Sequence, residues 1–312
     1  MVNSAAIICT RNRSDPLRDT LASIADQDFS PLPLVIVVDG SDDPIYSQNE
    51  AAIADISSLS VNHHRYDGPP SAGRQRNIGL QQLPDSTETV FFFDDDITLR
   101  TDCLRSLANA LNSSTDLRGV GGREVFLDDQ SNLRSSSRSQ FWKYLFLLDH
   151  PKPGRVLPSG RVSPYFSLSS HEQLVSTEWL STCCCAYERS IFDNVQFSES
   201  LSGAMLEDLD LSYQVAKQSS LAVVPWATFI HHRSPLSRRS TRRFSRDRII
   251  QRYWFLERRI DHPLQTVAFW WAILGQLLAA LVSPKKTKWE GLQGLLDGIR
   301  SILTRSHPLL RK

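Results

Sequence analysis

Hydrophobic positions in the first half of the chain fall into short, nearly unbroken runs separated by stretches of helical period. AAIICT (residues 5–10), LVIVVD (34–39) and VFFFD (90–94) are apolar almost throughout, the pattern of strands covered on both faces. Residues 60–66 form a weaker third strand between them. SDPLRDTLASIADQ reads as a helix with Asp15 as cap and Pro16 at its first position, and 71–83 as a helix capped by Ser71. From Thr101 to Leu111, Leu104, Leu107, Ala108 and Leu111 share one helical stripe. This strand–helix alternation predicts an α/β fold around an open, mostly parallel sheet, in which ligands sit at the carboxyl ends of the strands.

The regularity fails after residue 127. The span 128–175 is rich in Ser, Pro and Gly and predicts a long excursion of the kind more often functional than decorative. STEWLSTCCCAYERSIF predicts a strand leading into a short helix, AMLEDLDLSYQVAKQ (204–218) a helix, and LAVVPWATFIHH a strand broken at Pro225. No internal repeat is present. These elements predict a catalytic domain over 1–235, with a nucleotide-binding half over about 1–127 and an acceptor half over about 128–235, followed by a helical region over 236–312.

That last region changes the picture. Residues 233–259 interleave arginines with Phe244, Tyr253, Trp254 and Phe255, and 264–283 hold an apolar stretch with Trp270 and Trp271, flanked by basic residues on both sides. The stretch is near the lower length limit for a spanning helix and lacks positive-inside asymmetry, so it fits a helix lying in or on a membrane surface, or a buried core helix. EGLQGLLDGIRSIL adds an amphipathic helix. The whole chain carries 41% hydrophobic and 22% charged residues and a formal charge of only +1, which gives no global argument for nucleic acid. Five cysteines, three of them consecutive (Cys183, Cys184, Cys185), have neither disulfide-framework nor zinc spacing and predict reduced thiols. With no signal-peptide pattern at the N-terminus, the expected location is the cytoplasmic side of a membrane, peripheral or monotopic.

The polar clusters at the strand ends supply the candidate chemistry: Thr10 to Arg13, Asp39 to Asp43, and Asp94, Asp95 and Asp96. Three adjacent carboxylates repel, and such an array suits Mg²⁺ or Mn²⁺ bridging to substrate phosphates, or else a solvated acidic turn. Asp39 suits a nucleobase or ribose, or an Asx turn. Arg74 and Arg76 are candidates for phosphate or for pairing with the aspartates, although an exposed helical arginine is the plainer reading of Arg74. Glu207 and Asp208 open a helix, where the dipole alone favours acids; the functional reading is a general base. His231, ahead of His232, is a candidate to complete a metal site.

Taken in order, CTRNR, IVVDGSDDP, AGRQRNIGL, FFFDDDI, EWLSTCCCAYER, LEDLDLSYQVAK and ATFIHHRSP resemble the serial landmarks of inverting family 2 glycosyltransferases with the GT-A fold, from about residue 4 to about 258. The resemblance implies a GT-A-type open mixed, mainly parallel sheet flanked by helices, with membrane-associating helices at the C-terminal end. It implies that Thr10, Arg11, Arg13, Asp39, Arg74, Arg76, Asp94 and Asp95 serve the nucleotide-sugar donor. Asp94 and Asp96 would be the outer positions of the DxD motif, Asp96 the more direct ligand of Mn²⁺ or Mg²⁺, with His231 as a further ligand. Asp208 would be the catalytic base with Glu207 beside it, and Trp179 and Glu207 would meet a saccharide or lipid-linked acceptor. The chain departs from the pattern at Thr182 and Cys184, where relatives carry a small residue and an Asn-like one, and at Glu188, where they carry arginine. The implied reaction is inverting hexosyl or deoxyhexosyl transfer, in surface polysaccharide or glycolipid synthesis. The rival readings are a nucleotidyltransferase on a related sheet and a non-catalytic membrane-associated binding protein.

Overall fold

The computed structural model describes residues 3–126, 137–166, 168–169, 173–201, 206–233, 240–282 and 287–311. The chain divides into two compact units, one of residues 1–132 and 165–236 and the other of residues 133–164 and 237–312. Residues 133–164, allotted by the sequence to the acceptor half, therefore cluster with the C-terminal helices. Part of the irregular 128–175 span lies outside the described residues.

The first unit is built on a mixed sheet of nine strands among the described residues. In chain order these are β1 (Ser4–Thr10), β2 (Leu34–Asp39), β3 (Val61–Arg65), β4 (Thr89–Asp94), β5 (Ile97–Leu99), β6 (Leu117–Glu124), β7 (Val175–Thr177), β8 (Cys184–Glu188) and β9 (Ser220–His231). Their spatial order is β3-β2-β1-β4-β8-β6-β9-β5, with β7 on β9. The first four strands pair in parallel, while β8 runs antiparallel to both β4 and β6. Helices α1 (Ser14–Ala25), α2 (Asp43–Ala54), α3 (Ala72–Gln81), α4 (Cys103–Leu111) and α6 (Glu207–Ala216) accompany the sheet. Both faces of β4 are buried, which is why its sequence is continuously apolar. Phe91 and Phe93 stack on one face, and Phe92 meets Phe192 and Phe197 on the other.

Several elements differ from their sequence reading. Helix α1 begins one residue before Asp15, so Pro16 sits third and Asp15 lies in the first turn. Ser71 does cap α3, accepting from Arg74 N. Helix α2 follows directly from the polar turn 40–43, with Pro44 in its first turn, where a missing N–H costs nothing. Strand β6, LRGVGGRE, was hidden by three glycines. At Gly119 an added Cβ would lie 2.5 Å from Tyr187 Cε1, and at Gly121 2.7 Å from Leu180 Cδ2, so packing of neighbouring side chains selects glycine there. Pro225 does not end β9. The register jumps from Gly121↔Val223 to Arg123↔Thr228, and the bulge accommodates a residue that cannot donate to the ladder.

The second unit holds α5 (Ser137–Leu145), α7 (Thr241–Arg259), α8 (Gln265–Val282) and α9 (Lys288–Leu303). Helices α7 and α9 approach closely at two glycines: an added Cβ would fall 2.3 Å from Arg242 O at Gly294 and 2.0 Å from Ile249 Cγ2 at Gly298. Helix α8 is, by length and composition, apolar enough to cross a membrane, and 28% of it is buried. Val267, Trp271, Leu274, Leu278 and Leu281 are exposed.

Candidate active site

Register assembles the site. Thr10 pairs with Asp39 across β1 and β2, and Cys9 with Asp94 across β1 and β4, so three strand ends finish at one level. Antiparallel β8 starts at the same level, with Asp94 N donating to Cys183 O at 3.1 Å. The far end of β9 arrives through the Ile97↔His231 pair with β5. Asp94 thus closes β4, and Asp95 and Asp96 form the turn into β5.

Each aspartate has a different neighbour. Asp95, buried, accepts from Thr10 Oγ1 at 2.6 Å and from Arg13 Nη1 at 2.9 Å. Burial lifts its carboxyl to about 6, against the pull of Arg13 and Thr10. Asp96 accepts from Arg13 Nη1 at 3.3 Å and lies 3.1 Å from His231 Nε2. Asp94 meets Arg76 Nη2 at 3.3 Å and accepts from Cys183 Sγ at 2.8 Å. Cys183 Sγ lies 3.9 Å from His231 Nδ1.

Donor atoms of Asp94, Cys183 and His231 all fall within 4.8 Å of one another. Aspartate and histidine are ligands of divalent cations, whereas burial and Asp94 push the Cys183 thiol up, so its sulfur would join the set only where a bound cation displaces its proton. His231 Nε2 faces Asp96, which leaves Nδ1 as the nitrogen that would be available to a cation; a carboxylate on the other ring nitrogen is the usual device for orienting a ligating histidine. Asp96, expected as the more direct ligand, is in contact with His231 and Arg13, and Cys183 lies beside both Asp94 and His231. Burial alone would lower the His231 pKa, but Asp96, Asp94 and Glu124 outweigh it and raise it.

On the other side, the buried Arg76 guanidinium bridges Asp94 and Glu207, donating to Glu207 Oε1 at 2.8 Å. Glu207 is 3% exposed, and its second oxygen, Oε2, has no hydrogen-bond partner among the described residues. Asp208, next on α6, accepts from Leu209 N at 2.7 Å. Burial and then the charge of Glu207 push it up to about 7, opposed by Arg76. A carboxylate held there exchanges protons near neutrality, the property a general base needs. Five carboxylates face the two guanidiniums of Arg13 and Arg76, an excess of negative charge that a bound cation would offset.

Other expected residues stand apart. Asp39 is fully buried; its carboxylate accepts from Ser41 N, Asn49 Nδ2 and His63 Nε2 at 2.8, 2.7 and 3.0 Å. Burial would raise its pKa, but these bonds outweigh it and lower it. Arg74 is half-buried and pairs with Glu199 at 3.0 Å. Arg11 donates to Gly68 O at 3.2 Å. Trp179 is 7% exposed, with its ring 4.8 Å from that of Tyr165 and 6.2 Å from that of Phe166.

Sequence reasoning missed Cys183, Asn49, His63 and Gln75. Gln75 Nε2 donates to Thr10 O and Val38 O at 3.1 and 2.9 Å, tying together the ends of β1 and β2. The available signal was the poverty of apolar residues in α3 (AGRQRNIGLQ), whose buried positions include Gln75, Arg76 and Asn77. A helix that buries amides and a guanidinium is serving polar partners.

The comparisons with known proteins agree with this geometry. A mannosyltransferase from Pyrobaculum calidifontis, solved with GDP-Man and Mn²⁺, superposes with a TM-score of 0.61 at 14% identity, covering 98% of this chain and 88% of that one. GalNAc-T7 with UDP, GalNAc and Mn²⁺ gives 0.65 at 13% identity, covering 99% and 58%. Residues 1–349 of S. aureus TarS with UDP-GlcNAc give 0.59 at 15%, covering 97% and 82%. These likenesses establish the GT-A fold. In sequence, a glucosyl-dolichyl phosphate glucuronosyltransferase of Haloferax volcanii is 26% identical over 123 residues, which is 39% of this chain and 38% of that protein. The match therefore spans well under half of that curated relative. Residues 3–248 match the family described as glycosyltransferase like family 2, and the chain belongs to that family.

Proposed function

We propose that this protein transfers a sugar from a nucleotide-activated donor to an acceptor hydroxyl in one inverting displacement, assisted by a divalent cation. The observation that carries the reading is the opposition of two half-sites around Arg76. On one side are the converging ligands Asp94, Cys183 and His231, and on the other the Glu207–Asp208 pair with Asp208 near 7. Fold neighbours solved with UDP-GlcNAc or with GDP-Man and Mn²⁺ support a nucleotide-sugar donor.

Asp208, once ionised, takes the acceptor hydroxyl proton as the new O–C1 bond forms and the C1–O bond to the diphosphate breaks. The open Oε2 of Glu207 offers a hydrogen-bond acceptor beside it, and Arg76 fixes Glu207 and Asp94 relative to each other. Asp94, Cys183 and His231 would hold Mn²⁺ or Mg²⁺, which supplies positive charge to the leaving diphosphate when bound. The exposed apolar face of α8 supports a peripheral placement on a membrane. With the named substrate of the Haloferax relative, it favours a lipid-linked or surface-saccharide acceptor.

Asp208→Asn tests the assignment. Loss of the base lowers turnover by about 10²–10⁴-fold, read as nucleoside diphosphate release, while calorimetric binding of the nucleotide with Mn²⁺ persists. Unchanged turnover removes Asp208 from the mechanism. Release of pyrophosphate in place of nucleoside diphosphate makes the enzyme a nucleotidyltransferase, and absence of nucleotide binding favours a non-catalytic protein.

A further inference from the structure

The helical unit contains a cationic cluster that the transferase chemistry does not use. Arg248 and Arg252 lie four residues apart on α7, so they share one face of the helix. Arg252 is 3% exposed, and its guanidinium donates to the neutral amide oxygen of Gln276 on α8 at 3.1 Å. Arg161 joins them through its neighbour: Gly160, at φ +72°, sits so close to the Arg252 stem that a Cβ there would lie 3.0 Å from Arg252 Cγ. Arg161 Nε donates to Leu148 O at 3.2 Å. Arg248 lies over the Phe244 ring, 5.8 Å from its centroid, so among the described residues all three find neutral partners where arginines usually find carboxylates.

The acids nearby are committed elsewhere. Asp247 pairs with Arg246 at 2.7 Å, Asp297 with Arg242 at 2.6 Å, and Glu257 with Arg305. Asp149 is the carboxylate whose charge reaches Arg161. Burial, and then Arg248, hold the Arg161 pKa down to about 10; burial, Arg161 and Arg248 lower that of Arg252. A buried guanidinium without an opposite charge is costly, and a cluster of them persists most readily where an anion completes it. Arginine forks match phosphate oxygens two at a time. Arg248 is exposed, so the cluster opens to solvent at that side. Helix α8, which supplies Gln276, also exposes Trp271, Leu274, Leu278 and Leu281, a surface suited to hydrocarbon.

We propose that Arg161, Arg248 and Arg252 form a binding site for the phosphate group of a lipid. The proposal is independent of the transferase reading, since it uses none of the residues around Arg76.

The test uses the full chain and vesicles of phosphatidylcholine with or without phosphatidate, read by co-sedimentation, beside thermal shifts with inorganic phosphate and pyrophosphate. Phosphatidate is expected to strengthen vesicle binding at least tenfold. Arg248→Gln and Arg161→Gln should each lower that gain about tenfold, the loss expected for one charge-assisted hydrogen-bond pair. Arg242→Gln, which removes the same charge from the same helix, should retain it. Arg248 is exposed, so its variant tests the site even if Arg252→Gln does not fold. Equal behaviour of Arg248→Gln and Arg242→Gln overturns the site and leaves only diffuse attraction to the membrane. Stabilisation by inorganic phosphate without any gain from phosphatidate overturns the lipid assignment.

Discussion

Replacing Arg76 by methionine tests whether one buried guanidinium holds the two halves of the active site together. The side chain is 5% exposed and pairs with Glu207 at 2.8 Å and Asp94 at 3.3 Å. Methionine fills most of the volume and leaves Glu207, whose Oε2 already lacks a partner among the described residues, as a buried charge with no counter-ion. Breaking such a pair from one side costs about 3–5 kcal/mol. For a unit of this size that corresponds to a fall in Tm of about 6–20 °C. The double variant Arg76→Met/Glu207→Gln removes the stranded charge and should recover about half of the loss at pH 7.5. Thermal unfolding of the parent and of the single and double variants at pH 7.5 makes the comparison. A Tm within about 2 °C of the parent, or no recovery from the second substitution, would refute the claim that Arg76 neutralises Glu207.

With Asp208 pushed up to about 7, the transfer rate should rise with pH through about 7 as the base ionises, measured as kcat/KM for nucleoside diphosphate release over pH 5.5–9. Because the folded-state pKa values of Asp208 and Asp95, about 7 and about 6, lie above the ordinary 3.8, the protein free of cation should lose stability as pH rises from about 4 towards 7. Added Mn²⁺ should offset part of that loss, and a Tm that climbs over the same interval without metal contradicts the assignment. If Cys183 reaches the cation with Asp94 and His231, Co²⁺ should produce a sulfur-to-metal absorption band in the near ultraviolet that Cys183→Ser abolishes; Co²⁺ binding without that band excludes sulfur from the site. Gly294→Ala should destabilise the helical unit by about 1–3 kcal/mol, because its Cβ would meet Arg242 O at 2.3 Å; an unchanged Tm would mean that α9 can shift away from α7 at little cost.

The strands and helices bearing the site were legible where local pattern and tertiary demand coincide. Continuous apolar runs marked β1, β2 and β4 because both faces of those strands are covered, and the polar residues closing each run marked the ligand-facing end. Strand β6 was not legible, since its glycines answer to Tyr187 and Leu180, which arrive from other parts of the chain. The acids and bases of the site were also visible as residue types, and their order along the chain carried the family resemblance.

The sequence alone thus determined which residues could do chemistry and at which strand ends they would emerge, because strand periodicity and turn polarity are local properties. Only the tertiary structure decided which of them meet. The antiparallel entry of β8 sets Cys183 on Asp94, and the bulged β9 brings His231 to Asp96. Helix α3 turns Arg76 inward to Glu207, 131 positions away, while leaving Arg74 outside. Pairings across such separations depend on strand order and register, which no local stretch encodes, so motif position alone could not place Cys183 against Asp94, Arg74 against Glu199 or Trp179 against Tyr165.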